Sequence, residues 1–294
     1  MLQDTLVQWC QEEYDRSSAK YCGRYCDNKE NCNRNCDDCL DQVHWYPKYG
    51  GRCDYTCPNL LFRYVVRFTE KYSQQIHNAL DFVNISRYPY FNIFSIGCGA
   101  TPDLMAFEEV AEGKNIYYKG YDRNPLWETI HNKIKTYTAT THNITAKLRR
   151  EDIFVVLSDG RPARIHYNVV VIQYLLSHLY NTNQEHLTLD LFQGIIDNII
   201  SNRSQDSPFL IIITDVDSCN KGRNRWYNFL DMLEDAGFCG NAYVRSAFPN
   251  GDLGAERWTN YYHRQSPSFQ KISYQYVQNQ SDHDGAQLVI ELRW

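Results

Sequence analysis

No apolar run in this 294-residue chain approaches the roughly 18–20 residues that a membrane-spanning helix needs. The opening residues, MLQDTLVQWCQEEYD, carry neither the basic stretch nor the apolar centre of a signal peptide. The location these absences predict is the cytoplasm. A surplus of basic charge is missing as well: 30 Lys and Arg stand against 35 Asp and Glu, a net charge of −5. Nucleic acid as a partner is therefore left open but not favoured, since general binders are usually basic. Internal repeats and long low-complexity linkers are absent too. A chain of this length holds one sizeable core with a smaller module beside it.

Cysteine, by contrast, is abundant and unevenly spread. Of the eleven cysteines, Cys10, Cys22, Cys26, Cys32, Cys36, Cys39, Cys53 and Cys57 fall in the first 57 residues. Without a secretory signal, a dense cluster of this kind reads as metal binding rather than a disulfide framework. Residues 21–58 are rich in Asn, Asp and Gly with little apolar periodicity, so a metal is the natural staple for a segment that cannot bury enough surface by itself. Tetrahedral zinc held by Cys22, Cys26, Cys32, Cys36, Cys39, Cys53 and Cys57 is the preferred reading, with Cys10 and His44 in reserve. The competitor is an iron–sulfur cluster at Cys32, Cys36 and Cys39, whose C-x3-C-x2-C spacing is similar to that of radical S-adenosylmethionine enzymes. Asp38 stands where those carry an aromatic residue, and the strand pattern is not that of their β/α-barrel. Residues 1–60 hold ten acidic and seven basic residues, which suits a protein partner or a structural cap better than nucleic acid.

Beyond the cysteine-rich segment the pattern is α/β. Residues 3–20 read as a short leading helix. A long amphipathic helix runs from Pro58 to about Val83, with Leu61, Tyr64, Val65, Phe68, Tyr72 and Ile76 on one face. Strands are predicted at Phe91–Ile96, Asn115–Tyr121, Ile144–Leu148, Tyr167–Leu175 and Pro208–Thr214. The near-continuous apolar character of YNVVVIQYL and PFLIIIT suits central parallel strands. Helices are predicted at about 102–112, 125–138, 185–202 and 223–236, and an antiparallel hairpin at Ala242–Ser246 and Gln287–Leu292. This alternation implies a doubly wound sheet. The expected units are residues 1–58 as a cysteine-rich module with its leading helix, 59–84 as a connecting helix, and 85–294 as a Rossmann-like domain.

The segment FNIFSIGCGATPDLMAF, Phe91–Phe107, carries the most chemistry. A strand ends in Gly97-Cys98-Gly99 and a helix follows from Pro102, the unit that open α/β sheets use to hold nucleotide-type ligands. Glycine is needed because a Cβ would obstruct both the turn and the ligand's approach. The second strand ends at Asp122, 23 positions beyond Gly99, where a carboxylate can accept both hydroxyl hydrogens of a ribose. The NAD-type fingerprint has a third glycine three residues after the second. Here that position is Pro102, which suits a first helical turn but not that pattern.

With Asp122 and the hairpin finish, this unit resembles the class I S-adenosylmethionine-dependent methyltransferases over roughly residues 85–294. The resemblance implies a seven-stranded, mostly parallel, doubly wound sheet, S-adenosyl-L-methionine as cofactor, and methyl transfer to an acceptor. It implies that Gly97 and Gly99 lie under the methionine part, with Asp103 in the first helical turn, and that Asp122 binds the ribose. Asp152 would meet the adenine amino group beside the Ile153 backbone, and Gln173 and Tyr174 would face the sulfonium and the acceptor. The Asn/Asp-Pro-Pro-Tyr/Phe signature of many amino-directed members is absent, QYLLSHL standing in its place. That weakens an exocyclic-amine acceptor without removing it.

Catalytic candidates are fewer. His178 matches a histidine that many small-molecule members carry after the fourth strand and is a candidate general base; a structural histidine at a helix start is the plainer reading. Asp215 is a second candidate, at a strand's carboxyl end with Asp217 beside it. Arg223 and Arg225 open the next helix against its dipole. They read either as contacts to an anionic substrate group or as ion-pair partners of Asp215 or Asp217. The long aromatic segment 248–268 has the length of a lid. The expected acceptor is a small metabolite or peptide first and RNA second. The competing reading is a catalytically silent cofactor-binding fold whose cysteine module serves as a protein-interaction platform.

Overall fold

The computed structural model describes residues 1–21, 36–45, 55, 57–204, 206–217, 225–246, 261–265, 271–272, 276–277, 280–281 and 285–292. The strand–helix alternation folds into one eight-stranded sheet. Strands β1 (Phe91–Ile96), β2 (Ile116–Tyr121), β3 (Ile144–Arg149), β4 (Val169–Gln173) and β5 (Phe209–Val216) run parallel. β10 (Gly285–Leu292) is inserted antiparallel between β5 and β6 (Gly240–Ser246). The order is β3-β2-β1-β4-β5-β10-β6-β7. Its first seven strands are those the sequence predicts, in the mostly parallel arrangement expected. The eighth, β7 (Tyr261–Gln265), pairs parallel to β6 and comes from the segment read as a lid; the remainder of that segment, 248–260 and 266–268, lies outside the described residues. A separate ribbon pairs β8 (Lys271–Ile272) with β9 (Gln280–Ser281).

Alternate residues of a strand face opposite sides, and the two sides bury different layers. Ile93, Val169, Val171, Leu210, Ile212 and Val289 join one core with α4 (Pro102–Val110) and α5 (Glu128–Thr138). Phe94, Ile96, Val170, Ile172, Ile211 and Ile213 join the other with α6 (Ile153–Ser158), α8 (Leu187–Asn198) and α9 (Trp226–Asp235). Cover on both faces is why β4 and β5 read as continuous apolar runs.

The N-terminal helices belong to the first layer. α1 (Leu2–Tyr21) and α3 (Pro58–Leu80) bury Leu2, Leu6, Cys10, Leu61, Val65 and Ile76 in the same core as β1 and β4. The i, i+4 steps Leu2–Leu6–Cys10 and Leu61–Val65 put these side chains on single helix faces, and each fully buried leucine contributes about 1.5–3 kcal/mol.

Three helices among the described residues are not visible as helices in the sequence, α6 being one of them. α2 (Cys36–Trp45) sits within the cysteine-rich segment, with Asp37 and Asp38 in its first turn, where a carboxylate favours the helix dipole. Cys36 and Leu40 bury against Phe68 and Tyr72 of α3, and Arg63 forks onto both oxygens of Asp37 at 2.9 Å. α7 (Leu175–Asn181) begins where the sequence reads as the end of a strand.

Candidate functional site

Strand order reverses between β1 and β4, and ligands of open α/β sheets bind outside the carboxyl ends at such a switch point. The Gly97–Gly99 turn stands there, with φ of +65° and +46° at its two glycines. An added Cβ at Gly99 would lie 3.4 Å from the Trp127 ring, an ordinary contact distance, so the left-handed backbone rather than lack of space favours glycine. Asp122 follows β2 and closes the turn from the side. Its Oδ2 accepts the Gly99 N–H at 3.1 Å and its Oδ1 the Asn124 N–H at 2.9 Å. Burial pushes this carboxyl up from 3.8 to about 6, against the pull of those two amides.

The opposite flank of the turn is more deeply buried. Asp103, 2% exposed, lies in the first turn of α4. Its Oδ1 accepts the Tyr118 hydroxyl at 2.8 Å, its Oδ2 has no hydrogen-bond partner, and burial raises its pKa. Thr101, fully buried at φ +59°, leaves its Oγ1 without a partner. A non-glycine residue held left-handed marks stored strain. Beneath the turn His131 Nε2 is 2.8 Å from the Gly99 carbonyl; a carbonyl only accepts, so this nitrogen carries the hydrogen. Burial lowers the His131 pKa from 6.5 to about 4 and keeps the ring neutral.

Helix α3 supplies the roof. A narrow cleft, partly open to solvent, runs between the turn and Tyr64, Thr69, Tyr72, Gln173 and Tyr174. Tyr174 lies at φ +56°. Its ring stacks on Tyr72 with centroids 4.4 Å apart, and its hydroxyl donates to Gln75 Oε1 at 3.0 Å. Gln173, at the end of β4, donates from Nε2 to the Tyr72 carbonyl at 2.9 Å, which leaves its Oε1 buried without a partner. Gln287 of β10 donates to the Gln75 carbonyl. Among the described residues no lysine or arginine lines the cleft, whereas Asp103 does.

The structure thus gathers Gly97, Gly99, Asp103 and Gln173 around one cleft, with Asp122 against its glycine turn. Asp152 stands farther along the sheet's carboxyl edge as the N-cap of α6, accepting the Phe154 N–H at 2.9 Å, and Ile153 begins that helix. His178 is half-buried on α7 and does not line the cleft. Asp215 is fully buried, and its carboxylate accepts the N–H groups of Leu176, Ser177 and Val216. That geometry anchors the start of α7. Arg225 pairs with Glu185 at 3.1 Å rather than with Asp215 or Asp217; Arg223 lies outside the described residues.

Of the predicted metal ligands, Cys22, Cys26, Cys32 and Cys53 lie outside the described residues. Cys36, Cys39 and Cys57 sit in one apolar cluster with Leu40 and Phe68. Among the described residues no group of three or more His, Cys, Asp or Glu side chains is placed to hold a metal, and no helix is long and apolar enough to cross a membrane.

Sequence reasoning missed the roof. Tyr64 and Tyr72 looked like ordinary core positions of an amphipathic helix. The signal available was Thr69 and Gln75, polar residues that are 1% and 4% exposed. Buried polar groups need partners; Gln75 Oε1 takes the Tyr174 hydroxyl, while among the described residues Thr69 Oγ1 has none.

No protein-family model and no curated protein matches the chain. Among solved structures it is similar to a SAM dependent methyltransferase from Archaeoglobus fulgidus, at 13% identity over 76% of this chain and 97% of that one, TM-score 0.42. It is similar also to the plantazolicin methyltransferase BpumL in complex with SAH, at 14% identity over 97% of this chain and 100% of that one, TM-score 0.43. The same enzyme with a monoazolic desmethylPZN analog and SAH gives 13% identity, 97% and 100% coverage and a TM-score of 0.44.

Proposed function

We propose that the chain is an S-adenosylmethionine-dependent methyltransferase that binds its cofactor in the switch-point cleft. Asp122 carries this reading. A carboxylate has about four lone-pair sites, and two are used by Gly99 and Asn124; the remaining two match the two hydroxyl hydrogens of a ribose. The neighbours fit as well. Gly97 and Gly99 leave room for the methionine part, Asp103 Oδ2 and Gln173 Oε1 are acceptors in search of donors, and the adenine contact is assigned to Asp152 with Ile153 on the strength of the sequence resemblance.

Bound there, the cofactor supplies a methyl group activated on a positively charged sulfonium. The chain's own task is orientation and exclusion of water. The rings of Tyr64, Tyr72 and Tyr174 wall the cleft, and a cation is favoured against their faces. Gln173, its amide fixed by the Tyr72 carbonyl, turns its oxygen toward a group that donates a hydrogen bond. The acceptor class is a small metabolite or peptide first, RNA second. The cysteine-rich segment is proposed as a zinc-held cap on the strength of its sequence.

Calorimetry with S-adenosylmethionine and S-adenosylhomocysteine tests the cofactor, and failure to bind either one overturns it. Binding without methyl transfer to any component of a cell extract would move the reading to the silent fold. Metal analysis of the purified protein is expected to return zinc; iron with sulfide would overturn the cap.

A further inference from the structure

One face of β2 and β3 takes no part in the cleft. A parallel sheet is normally covered on both sides, and α6, α8 and α9 bury the central strands on this side. At the β3 edge the cover stops: Thr145, Lys147 and Arg149 are exposed, while Tyr117 and Lys119 of β2 are half-buried. The register sets Lys119 directly opposite Lys147 and Tyr121 opposite Arg149. Like charges in opposed positions destabilise a sheet. Each ammonium lies 5.3 Å from an aromatic centroid, Lys119 over Tyr121 and Lys147 over Tyr117. Arg149, Arg161 and Lys147 all face Lys119, with Glu151 the opposing charge, and Glu151 is already paired with Arg161. Among the described residues no carboxylate pairs with Lys119, Lys147 or Arg149. Arg123 and Arg150, both exposed, extend the charge beyond the ends of the two strands.

We propose that this face binds the phosphodiester backbone of a single-stranded nucleic acid, with Lys119, Lys147 and Arg149 as phosphate contacts. The surface concentrates unpaired cations on a chain whose net charge is −5, which makes it a local complement to a polyanion. Lys147 and Arg149 are about 6.7 Å apart along the strand, and Lys119 about 4.8 Å from Lys147 across the ladder; a patch that small meets a few phosphates of one strand. Its make-up is not that of a protein interface, which centres on aromatic or apolar side chains depleted in charge. Nucleic-acid interfaces are polar and strongly positive. Charged side chains also deter pairing at sheet edges; that accounts for Lys147 and Arg149 on the edge strand but not for Lys119 on the interior one. The proposal is independent of the methyltransferase reading.

Anisotropy titrations of the full chain with labelled short oligouridylate and oligothymidylate test it and separate RNA from DNA. Three contacts at about −0.7 each predict a slope near −2 for log affinity against log salt. Lys119→Gln, Lys147→Gln and Arg149→Gln combined should weaken binding by about tenfold or more at low salt and remove most of that slope. Lys135→Gln, exposed on α5 against the other face, should change neither. A thermal melt at or above the parent's establishes that the triple variant is folded. As a measurement on the unaltered chain, 4-thiouridine crosslinks should map to residues 116–121 and 144–149. Unchanged affinity and slope, crosslinks elsewhere, or equally tight binding of oligoglutamate or phosphatidylserine vesicles would overturn the proposal.

Discussion

Asp122→Asn should make the ligand-free protein more stable while abolishing its cofactor site. The folded chain holds the Asp122 proton up to about pH 6, whereas its ordinary value is 3.8. Between those values the folded state binds more protons than the unfolded state, so ionisation of this group costs stability as pH rises, and the full cost is present above pH 6. At 1.36 kcal/mol per pH unit the cost reaches about 3 kcal/mol. Asparagine removes the charge but can accept only one of the two amides, from Gly99 or Asn124, losing about 1 kcal/mol. The net gain is about 2 kcal/mol at pH 8, or roughly 3 °C in Tm for a chain this long. It should shrink steadily below pH 6 and be gone by about pH 4.5, with the variant slightly the less stable below that. Differential scanning calorimetry of both proteins from pH 4 to 8 measures this directly. Titration with S-adenosylhomocysteine in the same buffers supplies the second half. Two hydrogen bonds to a charged acceptor, at about 1.5–3 kcal/mol each, predict at least a hundredfold loss of affinity in the variant, and weaker binding by the parent below pH 6. A variant that melts below the parent at pH 8, or by a margin independent of pH, refutes the account of the buried charge. Unchanged affinity refutes the ribose role.

The remaining predictions concern the supports around the cleft. His131 has its pKa lowered from 6.5 to about 4, so the unfolded chain takes up its proton first and stability is lost as pH falls through that window. His131→Gln, whose amide can still donate to the Gly99 carbonyl, should flatten the acid side of the Tm profile, and an unaltered profile would count against it. Asp215→Ala strands the Leu176, Ser177 and Val216 amides in the interior and should cost about 3 kcal/mol or more; a melt unchanged from the parent would show that the carboxylate does not anchor α7. An added Cβ at Gly120 would lie 2.8 Å from Cys98 Sγ and from Tyr118 Cε1, so Gly120→Ala should cost about 1–3 kcal/mol. Combining it with Cys98→Ala should recover part of that loss, and strict additivity in the double-mutant cycle would place the strain elsewhere.

The sheet was legible because its signal is local. Apolar runs such as Val169–Ile172 and Phe209–Ile213 are needed only in strands covered on both faces, and the glycine turn follows from the steric demands of two residues. Asp122 was legible for the same reason, since a fixed interval after Gly99 brings it back to the turn. What the sequence concealed depends on partners far along the chain. Gln173 is oriented by Tyr72, about a hundred residues earlier, and nothing near Gln173 announces it. Asp215 looks like a ligand-facing carboxylate until the amides of α7, nearly 40 residues before it, are seen to occupy it. α2 was hidden because its cysteines suggested an irregular metal-bound segment, while the helix signal lay in Asp37, Asp38 and the spacing of Cys36 to Leu40. The IFVVLS of α6 has strand-like composition, and its helical form rests on the Asp152 cap and on burial of Ile153, Val156 and Leu157 against the sheet.

The interior position of β10 has a consequence for how the chain reaches this state. β5 and β6 are neighbours in sequence, yet neither pairs with the other; both wait for Gly285–Leu292. Until that segment arrives, β5 presents the full length of FLIIITDV as an open hydrogen-bonding edge, and such edges recruit other chains. Gln287, carried on the same late strand, adds one more tie from the sheet to the roof helix some 200 residues upstream. Contacts of that separation are slow to form. The intermediate most prone to aggregate is therefore one with a nearly complete sheet and a gap where β10 belongs.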